Sequence, residues 1–274
     1  MISMVGGLAL LSIASTLNPP LPQTEDRPVK YVSFAKGGAV YHSVVANLSD
    51  DRVSVETRYA TNLISMRSLF GDDEPVAALT GTFFAWENEK PVGDVVVDGD
   101  LVAKGRRGSV LAVDWFGKVH IFHPGFRQEI DWFPYRYALR GTVRLVENGK
   151  VNPDPRSQHF RDSSIWGRAA RTAAGVTGDG KVVLCATTHP VSLSQLGWAM
   201  VGLGVKDAVS LDGGGSTALF YRGKMVVPTG RRLCNLFVIY ERSPFDTSYQ
   251  AHLSRVARNQ TDGVLKAIGR RSKD

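Results

Sequence analysis

The chain has 274 residues, of which 43% are hydrophobic and 22% are charged, and its formal net charge is +7. This composition is ordinary for a soluble globular protein of one large or two small domains, and the positive charge favours an anionic partner without choosing among phosphate ligands, anionic polymers, nucleic acid and membranes. Cys185 and Cys234 are the two cysteines, which excludes a disulfide framework or a zinc cluster and leaves open one bridge between neighbouring strands.

An apolar run opens the chain from Met1 to Leu17, and a polar, proline-rich break follows it. The run suits the core of a signal peptide better than a membrane span, which needs about 20 apolar residues, although no Lys or Arg precedes it. We therefore expect residues 1–29 to hold an export signal or an N-terminal membrane anchor and a linker, with a buried helix as the alternative. The expected location is extracytoplasmic, and a cytoplasmic location stays open.

Short strand patterns dominate the chain from Lys30 onward. Val40–Leu48 and Arg52–Tyr59 alternate on either side of Ser49–Asp51 and predict a hairpin. Five later units join two apolar runs through a glycine turn, and Asp-Gly and Asn-Gly fit the positive φ values of hairpin turns. Those turns are Asp98-Gly99, Phe116-Gly117, Asn148-Gly149, Gly178-Asp179-Gly180 and Arg222-Gly223.

One helix is clearly indicated, because Ser192 and Gln195 have the spacing of a capping box and apolar residues follow at helical intervals through Leu203. The flanking runs Val182–Thr187 and Ala208–Leu211 predict strands, and a crossover of this length permits a parallel pair. The predicted fold class is α+β, a β-rich mixed sheet with several glycine-turn hairpins and few helices, in a domain over residues 30–242. Residues 243–274 are basic and predict a peripheral helix and tail.

The most distinctive stretch is Asp212-Gly213-Gly214-Gly215-Ser216-Thr217, which joins two apolar runs. Consecutive glycines are costly to order, and their backbone N–H groups can form a concavity that binds anions. Because no Gly-Lys-Ser/Thr ending is present and the following run predicts a strand, the loop does not fit the nucleotide-binding fingerprints. The alternative is a tight loop with an Asx turn at Asp212.

Three other side chains are candidates for chemistry. Arg171 precedes small residues, which would let a phosphate approach its guanidinium, or it forms a surface ion pair with Asp162. His189 ends a predicted strand and titrates near neutrality, which suits a general acid or base, or it is structural. Asp94 lies beside an apolar run, at an expected sheet end.

Several motifs follow one another in a recognisable order: Thr80-Gly-Thr-Phe-Phe, Val92-Gly-Asp, Phe160-Arg-Asp, Arg171-Thr-Ala-Ala-Gly-Val, Leu211-Asp-Gly-Gly-Gly-Ser-Thr and Arg232-Leu-Cys-Asn. In this combination the chain resembles the phosphodiester glycosidase family, in particular its bacterial, cyanobacterial-type members, over about residues 40–240. The family usually has Asn and Gly where this chain has Thr80 and Thr82, and often Gly-Gly-Pro where it has Arg140-Gly141-Thr142. The resemblance implies one pocket formed by Thr82, Asp94, Arg171, Asp212, Gly213, Gly214, Ser216 and Asn235.

The expected activity is hydrolysis of a sugar–phosphate glycosidic linkage, with a sugar-phosphate or anionic glycan as substrate. Such chemistry needs a cation for the phosphate, for which we expect Arg171 and the glycine-loop N–H groups, and a carboxylate, for which we expect Asp212 as nucleophile or base. Asp94 or His189 is the expected acid. We expect no cofactor, because no ligand spacing indicates a divalent ion, although one at Asp212 stays open.

Two other functions compete with this one. A non-catalytic module could use the same pocket to bind an anionic cell-envelope polysaccharide. A nucleic-acid binder would suit the positive charge, but the sequence contains no recognisable module for it, and no specific nucleic acid is expected as a partner.

Overall fold

The computed structural model describes residues 27–125 and 127–242, together with Ser254, Ala257, Arg258 and Thr261 of the C-terminal segment. The expected signal or anchor segment and most of the expected basic tail lie outside these residues. Within the described part of the chain, no helix is both long and apolar enough to cross a membrane.

Strands dominate the described residues, which form sixteen strands and, up to residue 242, two α-helices. The helices are α1 (Ser163–Trp166) and α2 (Leu193–Gly202). The strands are β1 (Val29–Lys36), β2 (Ala39–Ala46), β3 (Val53–Ile64), β4 (Ala77–Thr80), β5 (Val95–Val97), β6 (Asp100–Ala103), β7 (Ser109–Asp114), β8 (Val119–Phe122), β9 (Tyr135–Glu147), β10 (Lys150–Val151), β11 (Ala169–Thr177), β12 (Val182–Val191), β13 (Val205–Ser210), β14 (Leu219–Tyr221), β15 (Lys224–Val227) and β16 (Leu233–Glu241).

Two antiparallel sheets contain all of these strands. The larger sheet has the order β1-β2-β12-β11-β13-β9-β5-β6, with β10 and β7 paired to β9 and β8 paired to β7. The smaller sheet has the order β15-β14-β4-β16-β3. The β-rich architecture with glycine-turn hairpins and few helices is therefore confirmed.

The sheets are not mixed as the sequence led us to expect. Strands β12 and β13 do run in the same direction on either side of α2, but β11 lies between them and pairs with each in the antiparallel sense. The helical connection thus crosses over one intervening strand. Because β11 provides the hydrogen-bond partner of both strands, the parallel pair that this connection permits does not form.

The hairpin expected around Ser49–Asp51 is also wrong. Strand β2 pairs with β1 and β12 in the larger sheet, whereas β3 pairs with β16 in the smaller one. The turn therefore carries the chain from one sheet to the other. Asp50 shapes it by accepting hydrogen bonds from the backbone N–H of Arg52 at 3.0 Å and from the Nε of that residue at 2.9 Å.

The five glycine-turn hairpins are confirmed: β5–β6, β7–β8, β9–β10, β11–β12 and β14–β15 all pair across their turns. Asp98 and Gly99 have φ values of 51° and 85°, and Asn148 and Gly149 have 50° and 79°. Both central residues of these turns are left-handed, as the tight turns that match the twist of a hairpin require.

The main core lies between the two sheets, and α2 covers the outer face of the larger one. Buried apolar residues of both sheets meet in one cluster, which includes Val44, Leu139 and Leu184 from the larger sheet and Val55, Leu79 and Phe237 from the smaller. On the other face, Leu196 and Met200 of α2 pack in a cluster with Leu145. The helix begins with the predicted capping box, since Ser192 and Gln195 bond reciprocally through side chain and backbone.

Candidate active site

The glycine loop is fixed where the two sheets meet. Asp212 follows β13 of the larger sheet, and its backbone N–H donates to the carbonyl of Gly81, at the end of β4 in the smaller sheet, at 2.9 Å. Its own carbonyl accepts a hydrogen bond from the hydroxyl of Thr172 on β11 at 2.6 Å. Strands from both sheets therefore hold the backbone of this one residue, which sets the position of its carboxyl group.

The carboxyl group of Asp212 is buried without an ion pair. The residue is 9% exposed, its Oδ1 accepts the N–H of Gly213 at 2.9 Å, and no salt bridge joins it to any described residue. Burial raises its pKa to about 6, against the opposing effects of the Ser216 hydroxyl, the Gly213 N–H and the charge of Arg231. The group therefore changes its charge close to neutral pH.

Two of the three glycines allow close packing of the loop against its neighbours, and the third allows its backbone conformation. A Cβ at Gly213 would lie 2.7 Å from the carbonyl oxygen of Ala170, and a Cβ at Gly215 would lie 2.9 Å from the guanidinium carbon of Arg231. Gly214 has a φ of 56°, in the left-handed region that favours glycine. The loop backbone can thus be approached closely from two sides.

A cavity of about 490 Å³ opens beside this loop. Its described lining combines the loop backbone and aromatic rings with four arginines and two aspartates, so its charge is positive. The charged residues are Arg107, Arg161, Arg171, Arg231, Asp162 and Asp212, and the aromatic residues are Phe83, Phe84, Trp86 and Phe160. A pocket of this size with a few convergent polar groups is suited to a small ligand, and its charge favours an anionic one.

Arg171 lines the cavity but is largely committed to the backbone. It is 3% exposed, and its guanidinium donates to the carbonyls of Ile165 at 3.0 Å and Gly167 at 2.6 Å, with a longer contact to Val191 at 3.5 Å. Burial lowers its pKa. Arg171 therefore ties the segment around α1 to the edge of the cavity.

Thr82, Asn235 and Ser216 lie behind the lining. The side-chain oxygen of Asn235 on β16 accepts the N–H of Thr82 at 2.6 Å, and both residues are 2% exposed. Ser216 is fully buried, and its hydroxyl lies between Asp212 and Arg231, which contacts it through Nη1 at 3.4 Å. These three residues support the loop and the strand ends that face the ligand space.

Asp94 and His189 are not brought to the cavity. Asp94 is 4% exposed and accepts the N–H of Gly105 at 2.8 Å and an Nη1 hydrogen bond of Arg140 at 3.3 Å. His189 is exposed on β12, where its Nδ1 contacts the N–H of Val40 at 3.4 Å. Neither side chain lines the cavity beside the glycine loop.

Sequence reasoning missed Trp86, Arg107 and Arg231 as lining residues. Arg231 stands next to Arg232 at the head of β16, and local sequence does not tell which of the two faces the cavity. The structure makes Arg231 half-buried and Arg232 exposed. Arg231 directly precedes the motif Arg232-Leu-Cys-Asn, and this position in the sequence is the feature from which its role at the cavity could have been predicted.

No cluster of three or more His, Cys, Asp or Glu side chains in the described residues could hold a metal ion. Cys185 and Cys234 are both buried and free, and they lie on strands of different sheets. Burial raises the pKa of the two thiols, to about 12 and about 11 respectively. The bridge that the sequence left open is therefore not formed.

The model of the family described as phosphodiester glycosidase matches residues 73–240. The chain belongs to the phosphodiester glycosidase family. The matched segment contains the glycine loop, β4, β11 and most of β16, so the resemblance drawn from the motifs is confirmed.

Solved structures of other proteins share the fold of this phosphodiester glycosidase family member. The catalytic domain of zebrafish N-acetylglucosamine-1-phosphodiester alpha-N-acetylglucosaminidase, auto-inhibited by its pro-peptide, matches with a TM-score of 0.64 and 18% identity over 78% of this chain and 82% of that one. A hypothetical protein from Synechocystis matches with a TM-score of 0.60 and 14% identity, over 78% of this chain and 62% of that one.

A third similar structure is that of a Burkholderia pseudomallei protein whose name describes it as a candidate exported protein. It matches with a TM-score of 0.53 and 15% identity over 74% of each chain. At these identities the likeness establishes the fold alone. No curated protein sequence matches the chain.

Proposed function

We propose that the protein hydrolyses a sugar–phosphodiester glycosidic bond in the cavity beside the glycine loop, with Asp212 as nucleophile or base. The observation that carries this proposal is the buried Asp212 carboxyl, whose pKa is raised to about 6, at the wall of an arginine-lined cavity. Membership of the phosphodiester glycosidase family supports a glycosidase-type hydrolase.

The positive lining suits the phosphate part of such a substrate. Arginine recognises phosphate through paired, charge-assisted hydrogen bonds, and successive backbone N–H groups form concavities for anions. We assign these roles to Arg171, Arg231 and the N–H of Gly214, which all line the cavity, whereas the N–H of Gly213 donates to Asp212 itself. They would also stabilise the negative charge that develops on the phosphate as it leaves.

Asp212 must be ionised to act as nucleophile or base. In a retaining reaction its oxygen would attack the anomeric carbon, the phosphate would leave with the electrons of the glycosidic bond, and water would then release the sugar. In an inverting reaction it would take the proton of an attacking water. A carboxylate with a raised pKa is a stronger base than an exposed one, so either role benefits from the burial of Asp212.

We assign no role in the reaction to Asp94 or His189, because neither lines the cavity. A phosphate is a weakly basic leaving group and needs little help from an acid. Asp162 is the carboxyl that lines the cavity together with Asp212, and it is the better candidate if an acid takes part. We propose a reaction without a metal, in which guanidinium and N–H groups provide the positive charge.

An extracytoplasmic location remains part of the proposal. The apolar run at the start of the chain and the name of the Burkholderia pseudomallei protein support it. The polymer or lipid attached to the phosphate would then belong to the cell envelope.

The proposal is tested by hydrolysis of a panel of UDP-sugars and sugar phosphodiesters, with and without EDTA, across about pH 4 to 8. We expect kcat/KM of the wild type to rise about tenfold per pH unit below pH 6 and to level off above it, because Asp212 must lose its proton. Asp212→Asn should lower kcat by roughly 1,000-fold or more while the protein stays folded.

His189→Gln is the matched control, because it removes the other sequence-based candidate from an exposed position off the cavity. It should leave kcat/KM unchanged. Turnover that survives Asp212→Asn would overturn the assignment of that residue. No turnover on any substrate, with retained binding of anionic glycans, would favour the non-catalytic binding module instead.

A further inference from the structure

Residues 83–92 form an arm beside the cavity, between β4 and β5. The arm folds back on itself through backbone hydrogen bonds, from the N–H of Ala85 to the carbonyl of Lys90 at 2.8 Å and from the N–H of Val92 to the carbonyl of Phe83 at 2.9 Å. A bridge between Phe84 and Pro91 closes it further. The arm therefore holds its own shape and can present a side chain in a fixed place.

The side chain that the arm presents is Trp86. It is 63% exposed, yet it lines the cavity, and its ring meets Phe84 edge-on at a centroid distance of 5.2 Å. An indole this exposed gains little from burial in the folded chain, whereas its flat surface suits contact with another ring. Because Trp86 lines the cavity, a ligand bound there would bring its own ring into contact with the indole.

Arg231 joins this indole to the glycine loop. Its guanidinium carbon lies 4.5 Å from the ring centroid of Trp86, and its Nη1 contacts the hydroxyl of Ser216 at 3.4 Å. It also packs against Gly215, where a Cβ would come within 2.9 Å of the guanidinium. The order across the cavity is therefore glycine loop with Asp212, then Arg231, then Trp86.

Arg171 differs from Arg231 in what its guanidinium contacts. Arg171 is 3% exposed and donates to backbone carbonyls, whereas Arg231 is half-buried and its side chain contacts a hydroxyl and an aromatic ring. The charge of Arg231 also acts on the Asp212 carboxyl. Arg231 is therefore the better placed of the two to receive a phosphate next to Asp212.

We propose that Arg231 binds the substrate phosphate and that Trp86 is a specificity-determining residue for the group carried on the far side of that phosphate. This inference rests on the proposed function, in which the sugar is attacked beside Asp212. A phosphate at Arg231 then places its second ester group against the exposed indole of Trp86. The group selected there is one with a ring face that can stack, such as a nucleobase or a second sugar, over a small alkyl group.

The experiment compares phosphodiesters of one sugar that carry a uridine, a second sugar or a methyl group. We expect the wild type to prefer the ring-bearing esters to the methyl ester by about tenfold in kcat/KM, since stacking of a base on an aromatic side chain has an effect of this order. Trp86→Ala should bring this ratio close to one, and Trp86→Phe should keep part of it. A preference for one ring-bearing ester over the other identifies the class of the natural group.

Two matched controls accompany these variants. Trp198 is also exposed, at 54%, but lies on α2 and does not line the cavity, so Trp198→Ala should keep the full ratio. Arg231→Gln should raise KM for all the esters, by tenfold or more, whereas the exposed neighbour variant Arg232→Gln should leave KM unchanged. Circular dichroism of each variant checks that the fold is kept.

An unchanged ratio in Trp86→Ala, or an unchanged KM in Arg231→Gln, would overturn the inference while the proposed function stands. If the wild type hydrolyses none of the esters, the proposed function fails, and calorimetric titration with the same esters still tests the subsite. Equal affinities of the wild type for the ring-bearing and methyl esters would then overturn the inference. Tighter binding of the ring-bearing esters that is lost in Trp86→Ala would support it.

Discussion

Two cavities lie at opposite ends of the sandwich, and they differ in how their charged groups are satisfied. Strand β11 begins at the glycine-loop cavity and ends at a second one of about 720 Å³, which is lined by the turns around residues 48–51, 115–118 and 178–180. The second cavity is the larger of the two. Volume alone would therefore point away from the end of the molecule that carries the family motifs.

Several charged side chains at the larger cavity are paired with a neighbour, including the buried Glu56, which lies 3.4 Å from Arg58. Asp50 forms an ion pair with Arg52 at 2.7 Å, and an oxygen of Asp114 lies 2.8 Å from the Nε2 of His120. Arg136, whose side chain is 7% exposed, is paired with Asp98 at 2.5 Å. At the glycine loop, Asp212 is buried with hydrogen bonds but without an ion pair. A buried carboxyl without an ion pair lowers stability, and such groups are concentrated at functional sites, which is why we propose the smaller cavity as the active site.

The largest predicted difference between the two ends of the sandwich is the loss of stability when a glycine is replaced by alanine. A Cβ at Gly81 would lie 1.9 Å from the side-chain oxygen of Asn235, whereas a Cβ at Gly117, on the larger cavity, would meet nothing within 4 Å. Gly81→Ala should lower the free energy of unfolding by about 4 kcal/mol through overpacking and the lost hydrogen bond to Thr82. Gly117→Ala should lower it by about 1 kcal/mol, because its φ of 83° is unfavourable for alanine.

Urea unfolding of both glycine variants checks this difference. Equal losses of stability would mean that packing at the glycine-loop end is no tighter than at the other.

The second effect is a gain of stability in Asp212→Asn. Burial raises the pKa of Asp212 from 3.8 to about 6, so the folded state becomes less stable as the pH rises through this window and the carboxyl ionises in a buried position without an ion pair. Asparagine removes that penalty, and the variant should be more stable by up to about 3 kcal/mol at pH 7. The gain should vanish near pH 4.

Urea unfolding of the wild type and of Asp212→Asn at several pH values measures the gain. A variant that is less stable than the wild type at pH 7 would contradict the view that burying the ionised carboxyl lowers the stability of the folded state.

The smallest predicted effect is a loss of stability, in contrast to the gain in Asp212→Asn, and it concerns an ion pair at the larger cavity. Asp98→Asn removes the charge that Arg136 faces, and asparagine tolerates the φ of 51° at this position, so the turn itself is kept. Stability should fall by about 2 kcal/mol, less than for a fully buried pair because Asp98 is partly exposed. Thermal unfolding checks it, and an increase in Tm would show that the pairing is not what stabilises this end.

Local chemistry made part of the fold predictable. The positive φ values of Asp98-Gly99 and Asn148-Gly149 and the capping box of Ser192 and Gln195 depend on residues that are close in sequence, and all were anticipated. Sheet membership depends on distant partners. The turn at Ser49–Asp51 is compatible with a hairpin, and only the pairing of β3 with β16, far along the chain, sends it to the other sheet.

The candidate site was likewise predictable only where its features depend on residues close together in sequence. The motifs identify Asp212 and its glycines, because three consecutive glycines are costly to order and are kept where backbone must come close to another group. The partners of a side chain are not encoded nearby: Asp94 pairs with Arg140, 46 residues away, and Trp86 meets Arg231 across the cavity. A carboxylate that faces a ligand and one that faces a buried arginine therefore look alike in sequence.

The position of β16 has a consequence for the order in which the protein matures. This strand lies between β4 and β3 in the smaller sheet, and it is the last strand of the described chain. Until the ribosome has released residue 241, the smaller sheet lacks an inner strand, and Thr82 lacks the side chain of Asn235 that positions it. A nascent chain that stops before this strand would carry the glycine loop complete in sequence but without the sheet that fixes it, so the cavity beside the loop is complete only once β16 has been synthesised.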